Sequence, residues 1–456
     1  MANEKTALAV DPYARKVEYI LAPPDTFWKR IKFLGPALIL AGSIVGSGEL
    51  IATTTLGAKV GFYALWMIII SCLIKVVIQE ELGRYTIGSG ETALRAFDHI
   101  PGRLHVSWVV WFWIIMTIAV TFQAGGIVGG VGQALHLAWP QLSANWWTVI
   151  ITAVGIGLTV RGYYGMVERI AVFMVAVFTF ITVICAFLVQ WTPHAFSLAD
   201  FVEGLTLKLP KGGAGIAFAV FGITGVGATE LVMYPYWAVE KGYARFAGPT
   251  EETEAWLERA KGWVRVMHVD IIVAMIVFTI ATIAFYILGA AVLHGMEKVP
   301  QGYDMVATLS NMYTESIGSW AFYLFLVGAF FVLFSTFFVY IASLARMATD
   351  CLKVLRLIDF EDYRARMRWI GFFCIIFPVL YCILYVKLAA PVYMVLIGGV
   401  AQASFLPIIG FSALYLRYKR MDKRLLPGRA IDILMWICAV LITIIGVYAV
   451  YQKFAG

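Results

Sequence analysis

Two glycine-rich stretches decide the fold of this 456-residue chain. The first is Gly42-Ser43-Ile44-Val45-Gly46-Ser47-Gly48-Glu49-Leu50, and the second is Gly222-Ile223-Thr224-Gly225-Val226-Gly227-Ala228-Thr229-Glu230-Leu231. Each lies inside a long apolar segment and ends in Glu-Leu. Glycine costs a helix about 1 kcal/mol relative to alanine, so several glycines before a buried carboxylate favour an unwound segment. We therefore predict that both apolar helices are broken here.

The composition around these stretches is that of a membrane protein. Hydrophobic residues make up 61% of the chain and charged residues only 14%, a balance that soluble domains of this size do not show. The apolar residues form runs long enough for a helix to cross a bilayer. The chain is thus predicted to be an all-α integral membrane protein with about eleven transmembrane helices. The predicted spans, numbered 1 to 11, are 33–58, 61–80, 106–134, 146–160, 168–190, 213–239, 264–293, 319–348, 369–386, 391–416 and 431–452.

Basic residues predict the orientation of these spans. With the amino end inside, 28 lysines and arginines fall on the cytoplasmic side and six on the other, as the positive-inside rule requires. Residues 1–32 are charged and contain no apolar stretch of signal length, so we expect a cytoplasmic tail. The sequence therefore predicts a multi-pass protein of the cell membrane with its carboxyl end outside.

The spacing of the two glycine stretches predicts a repeat. They are five spans apart, so 33–190 and 213–416 would be repeats of five helices each, and an odd helix number makes them inverted in the membrane. Residues 431–452 would be one extra helix. Inverted repeats with discontinuous helices are typical of secondary transporters that bind their substrate near the bilayer midplane.

Short motifs along the chain point to a known family. They are Gly35-Pro36, Gln79-Glu80-Glu81-Leu82-Gly83-Arg84, Gly227-Ala228-Thr229, and Gln402 with Pro407. In these the sequence resembles the Nramp (natural resistance-associated macrophage protein) family of divalent-metal transporters, which has the LeuT-like fold. The resemblance implies a 5+5 inverted repeat and secondary active transport, by alternating access, of a divalent cation of the Mn²⁺, Mg²⁺ or Fe²⁺ class.

The sequence departs from the family pattern at the site itself. The family's Asp-Pro-Gly-Asn in span 1 is replaced by Gly46-Ser47-Gly48-Glu49, and its Met-Pro-His in span 6 by Leu231-Val232-Met233 or, with two residues inserted, Met233-Tyr234-Pro235-Tyr236. The acidic residue of span 3 is absent from Gln123-Ala124-Gly125-Gly126. The chain is therefore identified as a divergent member, and coupling to H⁺ or Na⁺ stays open.

The two glutamates are candidate ligands. A carboxylate near the bilayer midplane is costly unless it is paired, protonated or metal-bound, so Glu49 and Glu230 are predicted to be functional. Hydroxyls of Ser47 and Thr229 would complete an all-oxygen site that suits hard divalent cations. The alternative is that each glutamate braces freed backbone amides. The full predicted substrate site is Gly46, Ser47, Glu49, Gly227, Thr229, Glu230, Met233 and Gln402.

Two members of this set have a second interpretation. Met233 is either a soft metal ligand or a filler between helices, as methionine commonly is. Gln402 is either a neutral ligand or an interhelical hydrogen-bonding group. The charged segment 240–262 is predicted to be a connector with a short amphipathic surface helix, whose role is open.

Other function classes are disfavoured. The main rival is a transporter of a small organic solute, coupled to an ion, on the same fold. An enzyme is not expected because the chain lacks a clustered set of His, Cys and Asp residues, and no phosphate-binding loop suggests ATP-driven pumping. The basic residues lie in short loops, which excludes a nucleic-acid surface. No resident cofactor is expected, and the predicted partners are the lipid bilayer and the transported solute.

Overall fold

The computed structural model describes residues 11–160, 164–208, 213–359 and 362–455. Over these residues the chain is mostly helical, and its only strands are one two-residue antiparallel pair, Arg103–Leu104 with Val106–Ser107. Eight of the described helices are long and apolar enough to cross a membrane. The first of these, Pro36–Ser89, contains predicted spans 1 and 2, and the shorter apolar helices Ala144–Thr159 and Ala176–Trp191 fall at spans 4 and 5.

Every predicted span falls on a described helix, although the number of membrane crossings stays a prediction. From span 2 onward the helices of the spans are Leu65–Ser89, Trp108–Ala138, Ala144–Thr159, Tyr164–Leu188, Ala214–Ile223 with Ala228–Lys241, Glu254–Leu288, Ala321–Val354, Tyr363–Leu388, Pro391–Lys419 and Arg429–Ala455. The other helices are Val17–Tyr19, Phe27–Ile31, Gly61–Ala64, Ala93–Asp98, Val189–Trp191, Leu198–Glu203, Tyr243–Ala247, Gly302–Asp304, Met305–Ile317 and Lys423–Leu425, and the π-helix Gly289–Leu293 forms the end of span 7.

Span 1 departs from α-helix at the predicted residues, but it does not unwind. It consists of the α-helix Pro36–Ile44, the π-helix Val45–Thr53 and the α-helix Thr54–Val60. The prediction that span 1 unwinds is therefore wrong, although its α-helix is interrupted by a π-helix at the predicted residues. A side chain at Gly46 would overlap Thr336 of span 8, and a Cβ at Gly48 would lie 2.9 Å from the Ile223 carbonyl oxygen. These glycines allow neighbouring helices to approach span 1 closely.

Span 6 is broken as predicted. The helix Ala214–Ile223 ends before an extended Thr224, and the helix Ala228–Lys241 begins after Gly227. Gly225 has φ +63°, a conformation that favours glycine, and a Cβ there would lie 2.9 Å from Cys72 Cα of span 2. The backbone geometry and the close contact both require glycine at this position.

Span 3 passes through the middle of the bundle and packs against spans 4, 8, 9 and 10. Small residues allow the close packing, since a Cβ at Gly126 would lie 2.6 Å from the Pro391 carbonyl oxygen and one at Gly129 would overlap the Tyr385 ring. The first half of span 6 packs against span 10, and its second half packs against spans 1 and 2. The break in span 6 is thereby enclosed by protein.

Residues 11–23, which we call the N-terminal strap, lie across the ends of several spans. Asp11 pairs with the buried Arg366 at the start of span 9, and Arg15 donates to the carbonyl oxygen of Gly88 at 3.3 Å at the end of span 2. Trp263 Nε1 of span 7 donates to the Leu21 carbonyl oxygen at 3.0 Å. Burial lowers the pKa of Arg15 to about 10. This part of the predicted tail is therefore packed against the bundle.

The connector 240–262 differs from its prediction in one respect. Its amphipathic helix begins at Glu254, where the Thr253 side chain caps it, and it continues without interruption into span 7 as Glu254–Leu288. Gly262 lies inside this helix, where a Cβ would overlap Pro23 of the N-terminal strap. The expected separate surface helix is thus the first part of a longer one.

Candidate functional site

The break in span 6 exposes main-chain polar groups inside the protein. The last intrahelical hydrogen bond of the first half runs from Thr224 N to the Val220 carbonyl oxygen at 2.8 Å. The carbonyl oxygens after Val220 therefore need hydrogen-bond donors from outside this helix. At the start of the second half, the Thr229 amide donates to Gln402 Oε1 of span 10 at 2.9 Å. The two ends of the half-helices therefore offer acceptors on one side and donors on the other.

Glu230 lies in the first turn of the second half and is 2% exposed. Its Oε1 accepts from Ser43 Oγ of span 1 at 2.7 Å and from the Tyr340 hydroxyl of span 8 at 3.1 Å. Its Oε2 is buried and has no hydrogen-bond partner among the described residues. One carboxylate oxygen is thus fixed by two donors, and the other is free to accept.

A chain of side-chain hydrogen bonds continues from Tyr340 and returns to span 6. Gln123 Nε2 of span 3 donates to the Tyr340 hydroxyl at 3.1 Å, and Gln402 Nε2 donates to Gln123 Oε1 at 2.8 Å. Gln402 then accepts from the Thr229 amide, one residue before Glu230. Side chains of spans 3, 8 and 10 therefore form a hydrogen-bonded chain that connects the Glu230 carboxylate to the Thr229 amide.

Three oxygen atoms converge beside Gly227. The position of a Cβ on this residue would lie 2.5 Å from Glu230 Oε2, 2.7 Å from Gln402 Oε1 and 3.1 Å from the Gly222 carbonyl oxygen. The hydroxyl of Thr229 is also buried without a hydrogen-bond partner in the described ranges. Because glycine has no side chain, a small space lined by a carboxylate, an amide and a carbonyl oxygen remains at the break. We call it the Gly227 space.

Glu49 does not share hydrogen bonds with this group in the described part of the chain. Its Oε1 accepts from the Gly225 amide at 3.0 Å, and its Oε2 lies 2.8 Å from the Thr53 hydroxyl. Thr53 in turn contacts Thr224 Oγ1 at 2.9 Å. Glu49 therefore contacts the backbone of the break, as the bracing alternative predicts, and its role as a ligand stays a prediction.

The remaining predicted site residues lie in different surroundings. Met233 is fully buried in the second half of span 6, and Gly46 lies against Thr336. The side chain of Ser47 lies outside the described residues. Within the described ranges, no group of three or more His, Cys, Asp and Glu side chains is placed to hold a metal ion. A cation bound among these residues would need amide, hydroxyl or main-chain oxygens in addition to carboxylate oxygens.

Sequence reasoning did not select Lys75, which lies within span 2. Lys75 is 0% exposed, and its Nζ donates to the carbonyl oxygens of Phe221 at 2.7 Å and Thr224 at 2.5 Å. The Ser71 hydroxyl, one turn earlier, approaches the same two oxygens at 3.3 and 3.0 Å. A charged residue in the middle of an apolar span was the available signal.

Solved structures share this fold. A mutant of the manganese transporter of Eremococcus coleocola superposes with a TM-score of 0.71 at 15% identity, covering 97% of this chain and 90% of that one. Mhp1, a nucleobase-cation-symport-1 family transporter, superposes with a TM-score of 0.55 at 13% identity, covering 97% and 96%. The chain has the LeuT-like fold of membrane transporters.

Sequence comparisons then place the chain within that class. The family model for natural resistance-associated macrophage protein-like (Nramp) sequences matches residues 37–452. The divalent metal cation transporter MntH of Bacillus subtilis is 25% identical over 93% of each chain, and MntH of Deinococcus radiodurans is 26% identical over 67% of this chain and 66% of its own. The chain belongs to the Nramp family of divalent-metal transporters.

Proposed function

We propose that this protein carries a divalent metal cation of the Mn²⁺, Mg²⁺ or Fe²⁺ class across the cell membrane by alternating access. The cation binds in the Gly227 space, with Glu230 as its charged ligand. Gln402 Oε1 and the Gly222 carbonyl oxygen are the neutral ligands, and the Thr229 hydroxyl is a further one. Membership of a divalent-metal transporter family supports the kind of cargo.

The observation that carries the proposal is the unpartnered Oε2 of Glu230. A buried carboxylate oxygen that accepts no hydrogen bond costs about 1–3 kcal/mol or more. This oxygen faces a space bordered by two further oxygens at 2.7 and 3.1 Å from the Gly227 Cβ position. A hard cation bound among these atoms would supply the missing interaction, because Mn²⁺ and Mg²⁺ prefer carboxylate, carbonyl and amide oxygens.

Met233 is proposed as a softer ligand of the same site. It follows Glu230 by three residues in one α-helix, and residues three apart lie on the same helix face. A thioether attracts Mn²⁺ and Fe²⁺ more than Mg²⁺. Participation of Met233 would therefore bias the site towards transition metals within the proposed class.

Alternating access is proposed to act through the contacts around Glu230. Ser43 and Tyr340 bring spans 1 and 8 to the Glu230 carboxylate. Gln402 of span 10 accepts from the amide of Thr229, the residue before Glu230, in the second half of the discontinuous helix. A cation that competes for this carboxylate would weaken some of these interhelical bonds and strengthen others. Rocking of one repeat against the other about a broken helix is the motion that this fold uses.

Metal uptake into proteoliposomes tests the proposal with Glu230→Gln and Glu258→Gln as a matched pair. Glutamine keeps an acceptor for Ser43 and Tyr340 but loses the charge, so we expect Mn²⁺ uptake to fall by about tenfold or more. Glu258 lies outside the break, and its side chain is 67% exposed, so its variant should transport normally.

Two outcomes would contradict the proposal. One is Mn²⁺ uptake by folded Glu230→Gln at the rate of Glu258→Gln. The other comes from a thermal-shift panel: stabilisation by a small organic acid, with none by Mn²⁺, Mg²⁺ or Fe²⁺, would favour the rival solute transporter instead.

A further inference from the structure

Lys75 is a buried cation whose hydrogen bonds go to main-chain carbonyl oxygens of another helix. The described contacts of its ammonium group are the carbonyl oxygens of Phe221 and Thr224, with the Phe221 ring 5.0 Å away from Nζ. No carboxylate lies within ion-pair distance of it in the described part of the chain. An unpaired lysine inside a membrane span costs at least about 2.5 kcal/mol, so its position requires a compensating role.

The surroundings of Lys75 are those of a monovalent cation site. The Phe221 and Thr224 carbonyls lie at the carboxyl end of the first half of span 6, where the helix dipole places about half a negative charge. The Ser71 hydroxyl borders the same two oxygens. In discontinuous helices of this fold class, carbonyls freed by unwinding and carboxyl ends of half-helices are where coupling cations bind.

Both buried glutamates lie in the same electrostatic field. Glu49 accepts from the Gly225 amide, the residue directly after one Lys75 acceptor, and both Glu49 and Glu230 interact electrostatically with Lys75. When it is charged, the ammonium group therefore offsets part of the negative charge at the break. An alkali cation at this position would have the same effect.

We propose that the Lys75 ammonium is a tethered monovalent cation, which fills the place that a coupling alkali ion would take at the break in span 6. Lys75 is a positioning residue, because it acts on the Gly227 space through the backbone of the first half-helix. The inference rests on the proposed function for its link to transport. Its structural content, a monovalent cation site that opens when the lysine is removed, does not depend on which substrate is carried.

Without the Lys75 side chain, the protein should need an added monovalent cation at this position. In Lys75→Ala, the carbonyls of Phe221 and Thr224 with the Ser71 hydroxyl would surround a space for NH₄⁺ or Na⁺. Purified protein in choline buffer without divalent metal is titrated with NH₄Cl or NaCl while thermal unfolding is followed. We expect a saturable rise in Tm of about 2 °C or more for Lys75→Ala and no saturable rise for wild type.

Transport provides the second readout. In choline medium, Mn²⁺ uptake by Lys75→Ala should fall by about tenfold and recover severalfold with NH₄⁺ or Na⁺, whereas wild type should not respond. Lys75→Arg keeps a fixed charge and should remain independent of added cations. Lys75→Gln keeps a donor to the carbonyls without a charge, so its Mn²⁺ uptake should depend on added NH₄⁺ or Na⁺. It replaces Lys75→Ala in this test if the alanine variant does not fold. Lys59→Ala, an exposed lysine of span 1, is the control for loss of a positive charge.

The proposal is overturned if folded Lys75→Ala or Lys75→Gln shows neither a cation-dependent Tm nor cation-dependent uptake. A variant that transports normally in choline would show that no cation is needed there, and one that stays inactive under all salts would show that Lys75 only caps the half-helix. Failure of the proposed function gives a different result. Wild type would then neither bind nor transport divalent metal, but the Tm titrations with NH₄Cl or NaCl, which contain no divalent metal, would still test the Lys75 site.

Discussion

Gly227→Ala places one methyl group in the Gly227 space, and we expect it to weaken metal binding without unfolding the protein. Gly227 has φ −71° and ψ 172°, which alanine adopts freely, so the effect comes from space and not from backbone strain. The added Cβ would lie 2.5 Å from Glu230 Oε2 and 2.7 Å from Gln402 Oε1, both closer than Cβ atoms approach their neighbours in proteins. The two oxygens must move, and the methyl group occupies the place of the cation.

The magnitude follows from the cost of overpacking. An added carbon in a closely packed site costs about 1–3 kcal/mol, which corresponds to a rise of about 5-fold to 150-fold in the Kd for metal. Isothermal titration of purified protein with Mn²⁺ measures it, with Gly157→Ala as the control because a Cβ there meets nothing within 4 Å. A wild-type Kd for folded Gly227→Ala would refute the assignment of the cation to this space.

Two further changes test the soft ligand and the packing of the bundle. Met233→Leu should raise the Kd for Mn²⁺ severalfold and leave the Kd for Mg²⁺ unchanged, because only the transition metal gains from a thioether. Isothermal titration measures both values. Equal effects on the two metals would show that Met233 only fills space between helices. Arg417→Met should lower the free energy of unfolding by about 3 kcal/mol in thermal or denaturant unfolding, since it removes a 2.7 Å ion pair with Glu81 in which both side chains are 2% exposed. An unchanged unfolding midpoint would show that the pair contributes little.

The two glycine stretches show what the sequence could predict about the fold. In span 6 the prediction of a break holds because Gly225 occupies a left-handed conformation that interrupts the helix. In span 1 the same residue pattern serves another purpose, since Gly46 and Gly48 allow Thr336 and Ile223 to approach the helix. Composition alone does not distinguish a glycine needed for its backbone angles from one needed for its small size.

The same limit applies to the candidate site. Glu230, Thr229 and Gln402 were selected from sequence, and the geometry brings them together at Gly227. The partners Ser43 and Tyr340 were not selected, because hydroxyl groups occur throughout the spans and become informative only when a carboxylate lies opposite.

Lys75 escaped prediction for a related reason. Its acceptors are main-chain carbonyl oxygens, which every residue carries, so no sequence motif marks them. Only the end of a half-helix in space reveals which carbonyls are available. The position of the break was predictable from the sequence, but the contact of the Lys75 ammonium group with it was not.

The N-terminal strap has a consequence for biosynthesis. Asp11 and Arg366 are separated by 355 residues, so this ion pair cannot form until span 9 has been synthesised. At about 5–20 residues per second, the ribosome needs roughly 20 to 70 s to make that partner after Asp11. The strap can contact Gly88 and Trp263 before that time, so closure of the Asp11–Arg366 pair is the late step in its docking.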